Sequence, residues 1–187
     1  MQGRRLFETP KGTRPRVCDR AHGLGQEVIP LQENLINAET LRAVAECDIV
    51  FGCMDGVEGR HMLNRLTTFY TMPYFDVGVR LDADGAGGIE RIAGAVHYIQ
   101  PGLSSLFSRG VYNMALVDAE AMRRTNPEMY RRHVKEGYLR GVEEDRPAVI
   151  CVNMFFAALV VNDFLARLHP YRNQPNGEYA YIGGKSV

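Results

Sequence analysis

Residues 47–60 read CDIVFGCMDGVEGR: the apolar run Ile49, Val50, Phe51 ends at Gly52, and Asp55 follows before a glycine-flanked turn and Arg60. A short apolar run bounded by turn residues reads as a strand, here 48–53, of the kind buried on both faces of a parallel sheet. Downstream, 57–70 sets Met62, Leu63, Leu66, Phe69 and Tyr70 on one side of a helix. Pro73 follows, and YFDVGV at 74–79 is the next strand. Upstream, 38–46 spaces Leu41, Val44 and Ala45 as one helical face, with Asn37 as its N-cap, and EVIPL at 27–31 is a further candidate strand. This alternation predicts an α/β fold with a parallel sheet and right-handed crossovers. Ligands of such sheets gather beyond the carboxyl ends of the strands. Asp55 stands at such an end, where it reads either as the N-cap of the following helix or as a functional carboxylate able to hold Mg²⁺.

Beyond this core the pattern changes. Residues 81–88 form a Gly/Asp-rich turn, and 89–100, with Gly94 inside it, reads as a hairpin or bent strand. A loop spans 101–110, and 114–140 is helical in character, with Pro127 opening a new segment after Asn126. After a break at 141–147, a strongly apolar helix runs over 148–168 and stops at Pro170. Its apolar run AVICVNMFFAALVV, 148–161, is interrupted by Asn153 and is shorter than the roughly 18–20 residues of a membrane span, so it reads as a buried helix. A turn, a short strand and a loose tail end the chain. The expected organisation is a single domain over 1–187: a basic irregular segment (1–25), a sheet core (26–100), crossover loop and helices (101–147), and a closing helix with its tail (148–187).

The chain has 187 residues, enough for one domain with its own core. Lys plus Arg equals Asp plus Glu at 22 each, and a formal net charge of zero argues against a nucleic-acid protein. The charge is uneven: Arg4, Arg5, Lys11, Arg14, Arg16 and Arg20 crowd the N-terminus, which reads as an anion site or as a solvated face. The Arg/Glu stretch 123–146 reads as a solvated helical face, with a partner-protein contact as the alternative. Cys18, Cys47, Cys53 and Cys151 are scattered without CxxC spacing, which suggests neither zinc nor disulfides and fits reduced thiols in the cytoplasm. Cys53 and Cys151 read as buried small residues rather than nucleophiles. The five histidines show no metal spacing, and His61 is expected to be partly exposed.

Taken together, DIVFGCMDGVEGRHMLNRL, PYFDVGV, GAVHYIQPG and RPAVICVNMFFAALVVNDFLARL resemble, in order and spacing, the second half of the ThiF/MoeB/HesA adenylyltransferases, the fold of ubiquitin-activating enzymes. The resemblance runs from about residue 5 to 170, with Asp55, Arg60, Asn64, Pro73 and Gly78 in the family's places. It implies an incomplete Rossmann-like three-layer domain: parallel strands with crossover helices, then an antiparallel hairpin and a long C-terminal helix. It implies adenylylation of the C-terminal carboxylate of a ubiquitin-like or sulfur-carrier protein, with ATP and Mg²⁺, by a cytoplasmic homodimer that uses no membrane. Asp55 matches the residue that binds Mg²⁺–ATP, and Arg5 and Arg16 match the triphosphate-contacting cations. Arg60 and Asn64 match supporting positions in the nucleotide site.

Two departures qualify the resemblance. The family's GxGGxG nucleotide loop lies on a strand ahead of the matched region, so the chain reads as an N-terminally truncated form, inactive by itself; GAGG at 85–88 does not sit between a strand and a helix. Ser105 and Ser108 stand where many relatives have a zinc-binding Cys-x-x-Cys, so no zinc is expected. The segment 110–147 has no cysteine, which removes a covalent thioester step. The alternative reading is a non-catalytic dimerisation or protein-binding remnant of the same fold, because the missing strands would leave apolar sheet surface to be covered.

Overall fold

Alternation along one strand organises the fold. Tyr74 and Phe75 are both fully buried, yet they belong to different apolar clusters, because successive strand residues point to opposite faces of the sheet. The computed structural model describes residues 29–83, 89–136 and 150–186. The chain divides into two units, Met1–Asn34 and Leu35–Val187. In the first, residues 29–34 form neither helix nor strand, so the strand expected at 27–31 is absent over 29–31, while 27 and 28 lie outside the described residues. The basic segment 1–25, with Arg5, Arg16 and Cys18, also lies outside them.

The second unit runs α1 (Ala38–Ala45), β1 (Val50–Gly52), α2 (Val57–Phe69), β2 (Tyr74–Ala83), β3 (Ile89–Ile99), α3 (Met114–Thr125), α4 (Pro127–Lys135), α5 (Ile150–Leu168) and β4 (Tyr181–Ser186), with a short 3₁₀ turn at Asn176–Tyr179. Local chemistry fixes the helix starts. The side chains of Asn37, Asn113 and Asn126 accept hydrogen bonds from the backbone N–H groups of Glu39, Leu116 and Met129, and Pro127 opens α4 where no N–H is needed.

The sheet order is β1-β2-β3-β4. β1 and β2 are parallel, joined by α2, with Val50 opposite Tyr74 and Gly52 opposite Asp76. β2 and β3 are antiparallel from Tyr74 opposite Ile99 to Leu81 opposite Ile92, and β4 adds antiparallel to β3. The architecture is mixed α/β; among the described residues one strand pair is parallel, where the sequence predicts three parallel strands ahead of an antiparallel hairpin. On one face, Val50, Leu63, Tyr74, Ile99, Leu106 and Val117 pack beneath α2 and α3; on the other, Phe75 and Val96 pack against Phe156 and Val160 of α5.

Three expectations are corrected. β1 is only three residues long, and Phe51 keeps an exposed edge instead of being buried on both sides. β2 continues past 79 to Ala83, because Arg80 and Arg91 both pair with Asp82 at 2.7 Å and make a polar arm of the hairpin favourable. The turn expected at 81–88 therefore contributes 81–83 to β2; 84–88, including GAGG, and 137–147 fall partly or wholly outside the described residues. Of the hairpin or bent strand expected at 89–100, a single strand is what forms, Ile89–Ile99, and the hairpin lies between β2 and β3. Gly94 does not break β3: a Cβ there would lie within van der Waals radii of the Phe156 ring, so the glycine lets α5 come down on the sheet.

α5 also differs from a buried helix. Phe156, Val160, Asp163 and Ala166 face the sheet, while Ile150, Met154, Val161, Leu165 and Leu168 are exposed. Cys53 and Cys151 are exposed as well, against expectation. α5 is the one helix among the described residues long and apolar enough to cross a membrane by length and composition; the shorter run 148–161 hid this, because the helix continues through Asp163 and Arg167, which pair with each other at 3.2 Å.

Gly94→Ala is expected to cost about 1–3 kcal/mol of stability in urea unfolding, because the Phe156 ring must move. A double-mutant cycle with Phe156→Leu should recover part of that loss; strict additivity would mean that the close approach is not the reason for the glycine.

Candidate functional site

β1 ends at Gly52, and the chain turns through Cys53, Met54 and Asp55 into α2. Gly52 is required by packing: a Cβ there would lie 2.6 Å from the Tyr74 hydroxyl oxygen. The N-cap of α2 is Gly56, which makes no side-chain capping bond, so the reading of Asp55 as the cap is corrected. The first turn is served from α3 instead. Glu120 Oε2 accepts the Glu58 N–H at 2.8 Å, and Arg124 pairs with the Glu58 carboxylate at 2.8 Å. A carboxylate at a helix N-terminus meets the positive end of the helix dipole, so Glu120 takes the place of a cap. Asp55 is exposed and has no hydrogen bond or ion pair with another described residue.

The other expected site residues in the described region have partners within the protein. Arg60 Nη2 donates to the carbonyl of Val77 at 3.2 Å, and its Nε lies 3.3 Å from Asp76 Oδ1. This contact is an ion pair by proximity, since Nε is not aligned for a hydrogen bond. The guanidinium lies over Gly78, where a Cβ would come within 2.8 Å of Nη2. Asn64 is buried, and its Oδ1 accepts the Leu106 N–H at 3.0 Å, which ties the 101–110 loop to α2. In that loop Ser105 and Ser108 exchange hydrogen bonds: each backbone N–H donates to the other's Oγ, at 2.9 and 3.1 Å. His61 is half-buried as expected, with Nδ1 3.0 Å from the Tyr112 hydroxyl.

A second polar group lies inside the sheet, and sequence reading did not single it out. Asp76 has no exposed surface; the Tyr74 hydroxyl donates to its Oδ1 at 2.8 Å, and His97 stands opposite it on β3. Burial raises the Asp76 carboxyl above its ordinary range, while Arg60 and the Tyr74 hydrogen bond oppose the rise. Burial, helped by the charges of Arg109 and Arg60, lowers His97 to about 4, so it is neutral in the folded protein. The Cys53 thiol is pushed up by partial burial and then by Asp76, which works against a thiolate nucleophile. The available signal was an acid between Phe75 and Val77, in a stretch, 74–79, whose other residues are apolar or glycine.

Chemically, the arrangement offers one uncommitted carboxylate beyond a parallel strand end, beside a closed Arg60–Asp76–Tyr74 group that holds α2 on the sheet. No group of three or more His, Cys, Asp or Glu able to hold a metal ion occurs among the described residues. No family model matches the chain, and no curated protein matches it.

The lowered His97 makes a pH prediction. Between pH 6.5 and about 4 the unfolded chain takes up a proton at this position and the folded chain does not. His97 therefore contributes stability that is complete above its unfolded value and is lost as pH falls toward its folded one, on the order of 3 kcal/mol in all. Urea unfolding from pH 7 to 4.5 should show a shallower fall for His97→Leu than for wild type. Parallel slopes would remove His97 as the cause.

Proposed function

We propose that this chain carries the second half of a ThiF-type adenylyltransferase site, which in its complete form transfers AMP from ATP to the C-terminal carboxylate of a ubiquitin-like or sulfur-carrier protein. The observation that carries the reading is Asp55: it lies beyond the carboxyl end of β1, is exposed, and has no role in capping or ion pairing. A carboxylate so placed in an open α/β sheet stands where ligands bind.

One carboxylate is too few for a resident metal but fits Mg²⁺, which keeps several waters and is commonly held by one or two carboxylates together with substrate phosphates. When bound, that ion would neutralise charge on the triphosphate as pyrophosphate leaves. Asp55 would position the nucleotide's phosphates through it. In this reading Arg60 and Asn64 support the site, Arg60 through Asp76 and Asn64 through Leu106; Arg5 and Arg16, which the resemblance matches to triphosphate-contacting cations, lie outside the described residues. The sequence contains no GxGGxG loop, so the chain is expected to show no ATP–pyrophosphate exchange by itself. A second reading, a non-catalytic dimerisation or protein-binding module of the same fold, draws on the exposed outer side of α5.

Calorimetric titration of the chain with Mg²⁺–ATP tests the first reading. Asp55→Ala should weaken binding by about tenfold or more, a loss of roughly 1.4 kcal/mol. Its stability should stay within about 0.5 kcal/mol of wild type, because the residue is exposed and unpaired. Equal affinities, or no binding by wild type, would overturn the reading.

A further inference from the structure

Three buried polar atoms have no hydrogen-bond partner among the described residues: Arg60 Nε, Asp76 Oδ2 and His97 Nδ1. They belong to three different elements, α2, β2 and β3, yet they stand together. Asp76 and His97 are directly opposed across the β2–β3 ladder, which puts both side chains on the same face of the sheet with Cβ atoms about 5 Å apart. That face is the one α2 covers, and Arg60 Nε lies 3.3 Å from Oδ1 of the same carboxylate. The positive charge of Arg60 also reaches His97.

A buried polar atom left without a partner costs about 1–3 kcal/mol, and folded proteins carry few of them. Three in one place call for a shared partner. The nearest side-chain groups are already used: the Tyr74 hydroxyl donates to Oδ1, and Arg60 Nη2 donates to the Val77 carbonyl. The next row of the same face leaves room. Gly78 stands opposite Ala95, and Ala95 opposite Gly183, so nothing larger than a methyl group rises from these three positions. The Arg60 guanidinium lies over Gly78 and the Tyr181 ring over Gly183, with the Tyr181 and His97 ring centroids 4.9 Å apart. The space above Ala95 is thus walled at both ends.

The chemistry of the three atoms decides what fits there. Arg60 Nε only donates, and Asp76 Oδ2, in an ion-paired carboxylate, accepts. His97 is neutral in the folded protein, so its Nδ1 either donates or accepts according to tautomer. A simple anion would satisfy Arg60 but face the carboxylate; an ammonium or metal ion would satisfy the carboxylate but face the guanidinium. Water answers both. Its oxygen accepts from Arg60 Nε, and its two hydrogens go to Asp76 Oδ2 and His97 Nδ1. Three is the number of hydrogen bonds a buried water typically makes.

We propose that Arg60, Asp76 and His97 form a closed site for one resident water molecule, which joins α2 to β2 and β3 and holds His97 in the tautomer protonated at Nε2. The tautomer follows from the count of hydrogens: with the proton on Nδ1, one hydrogen of the water would be buried without an acceptor. Asp76 gains at Oδ2 what Tyr74 gives it at Oδ1, and β3 gains a polar link to α2. The site stands whether or not the chain binds nucleotide.

The first tests use the unaltered full chain. At neutral pH, long-range proton–nitrogen correlation on isotope-labelled protein should show His97 with a bare Nδ1 and a protonated Nε2; a proton on Nδ1 would overturn the proposal. A rotating-frame cross-peak of direct dipolar sign should join the water line to His97 Hε1, and its absence would count equally against it. Magnetic relaxation dispersion of the solvent counts long-lived waters. His97→Leu removes one partner and fills the space with alkyl groups, so its dispersion amplitude should fall by the share of one water molecule. An unchanged amplitude in folded His97→Leu, checked by circular dichroism, would overturn the site, and the two wild-type measurements decide the matter if that variant does not fold. Bromide-soaked crystals should give no anomalous peak between the three atoms; a peak would make this an anion site and sink the assignment to water.

Discussion

A carboxylate with no exposed surface lies in the middle of the sheet, and the packing around β1, α2 and β2 is arranged about it. Removing Asp76 from water is costly, and within the chain the cost is offset by the guanidinium of Arg60 and the hydroxyl of Tyr74. Each of those groups needs room. The Tyr74 ring reaches its acid across Gly52, and the Arg60 guanidinium spreads over Gly78; a methyl group at either glycine would occupy the same space. Arg60 also ties α2 to the Val77 carbonyl, so one side chain fixes the helix to both the side chains and the backbone of β2. The parallel β1–α2–β2 unit is thus locked by an ionic contact as well as by its apolar cluster.

This bears on how the sequence pattern should be weighed. Arg60, Asn64 and Gly78 each have a structural task in this fold: balancing Asp76, anchoring Leu106, and clearing space for a guanidinium. Their presence therefore speaks to architecture more than to chemistry. Asp55 is different. Changing it would disturb no described contact, and the first turn of α2 is satisfied by Glu120 without it. An exposed carboxylate beyond a strand end with no structural task is the residue on which a functional reading can rest.

What could be read from the sequence was what the chain encodes locally. The starts of α1 and α4 were written in Asn37 and in the Asn126–Pro127 pair, and the helical spacing over 57–70 survives in α2 to within a residue. Asp55 was legible because its place follows from the order strand, turn, helix. The rest depended on distant partners. Gly94 resembled a break because the Phe156 ring that occupies its missing side chain comes from a helix more than fifty residues later. Asp82 looked like a turn residue because Arg91, which completes its pairing with Arg80, lies across the hairpin. Asp76 passed as one polar residue in an apolar strand, since neither Arg60 nor His97 is its neighbour in sequence.

A surface helix usually turns its apolar stripe inward and its charges toward water, but α5 has apolar side chains on both sides: Phe156 and Val160 pack on the sheet while Met154 and Val161 are exposed. Asp163 is buried beside the inward apolar residues, held by Arg167 and by Arg172 beyond the helix end, and the Arg167 guanidinium lies 3.6 Å from the centre of the Tyr98 ring. Arg167 also donates to the Tyr179 carbonyl at 2.7 Å, just before β4 begins. The inward ions therefore fasten the C-terminal segment to the sheet, and with the charged groups used there the outward side is left neutral. The internal salt bridges and the exposed apolar side of the helix are consequently two results of one distribution of charge along it: the acid and its arginine stand at the sheet, and no charged side chain of α5 is left for the outward side.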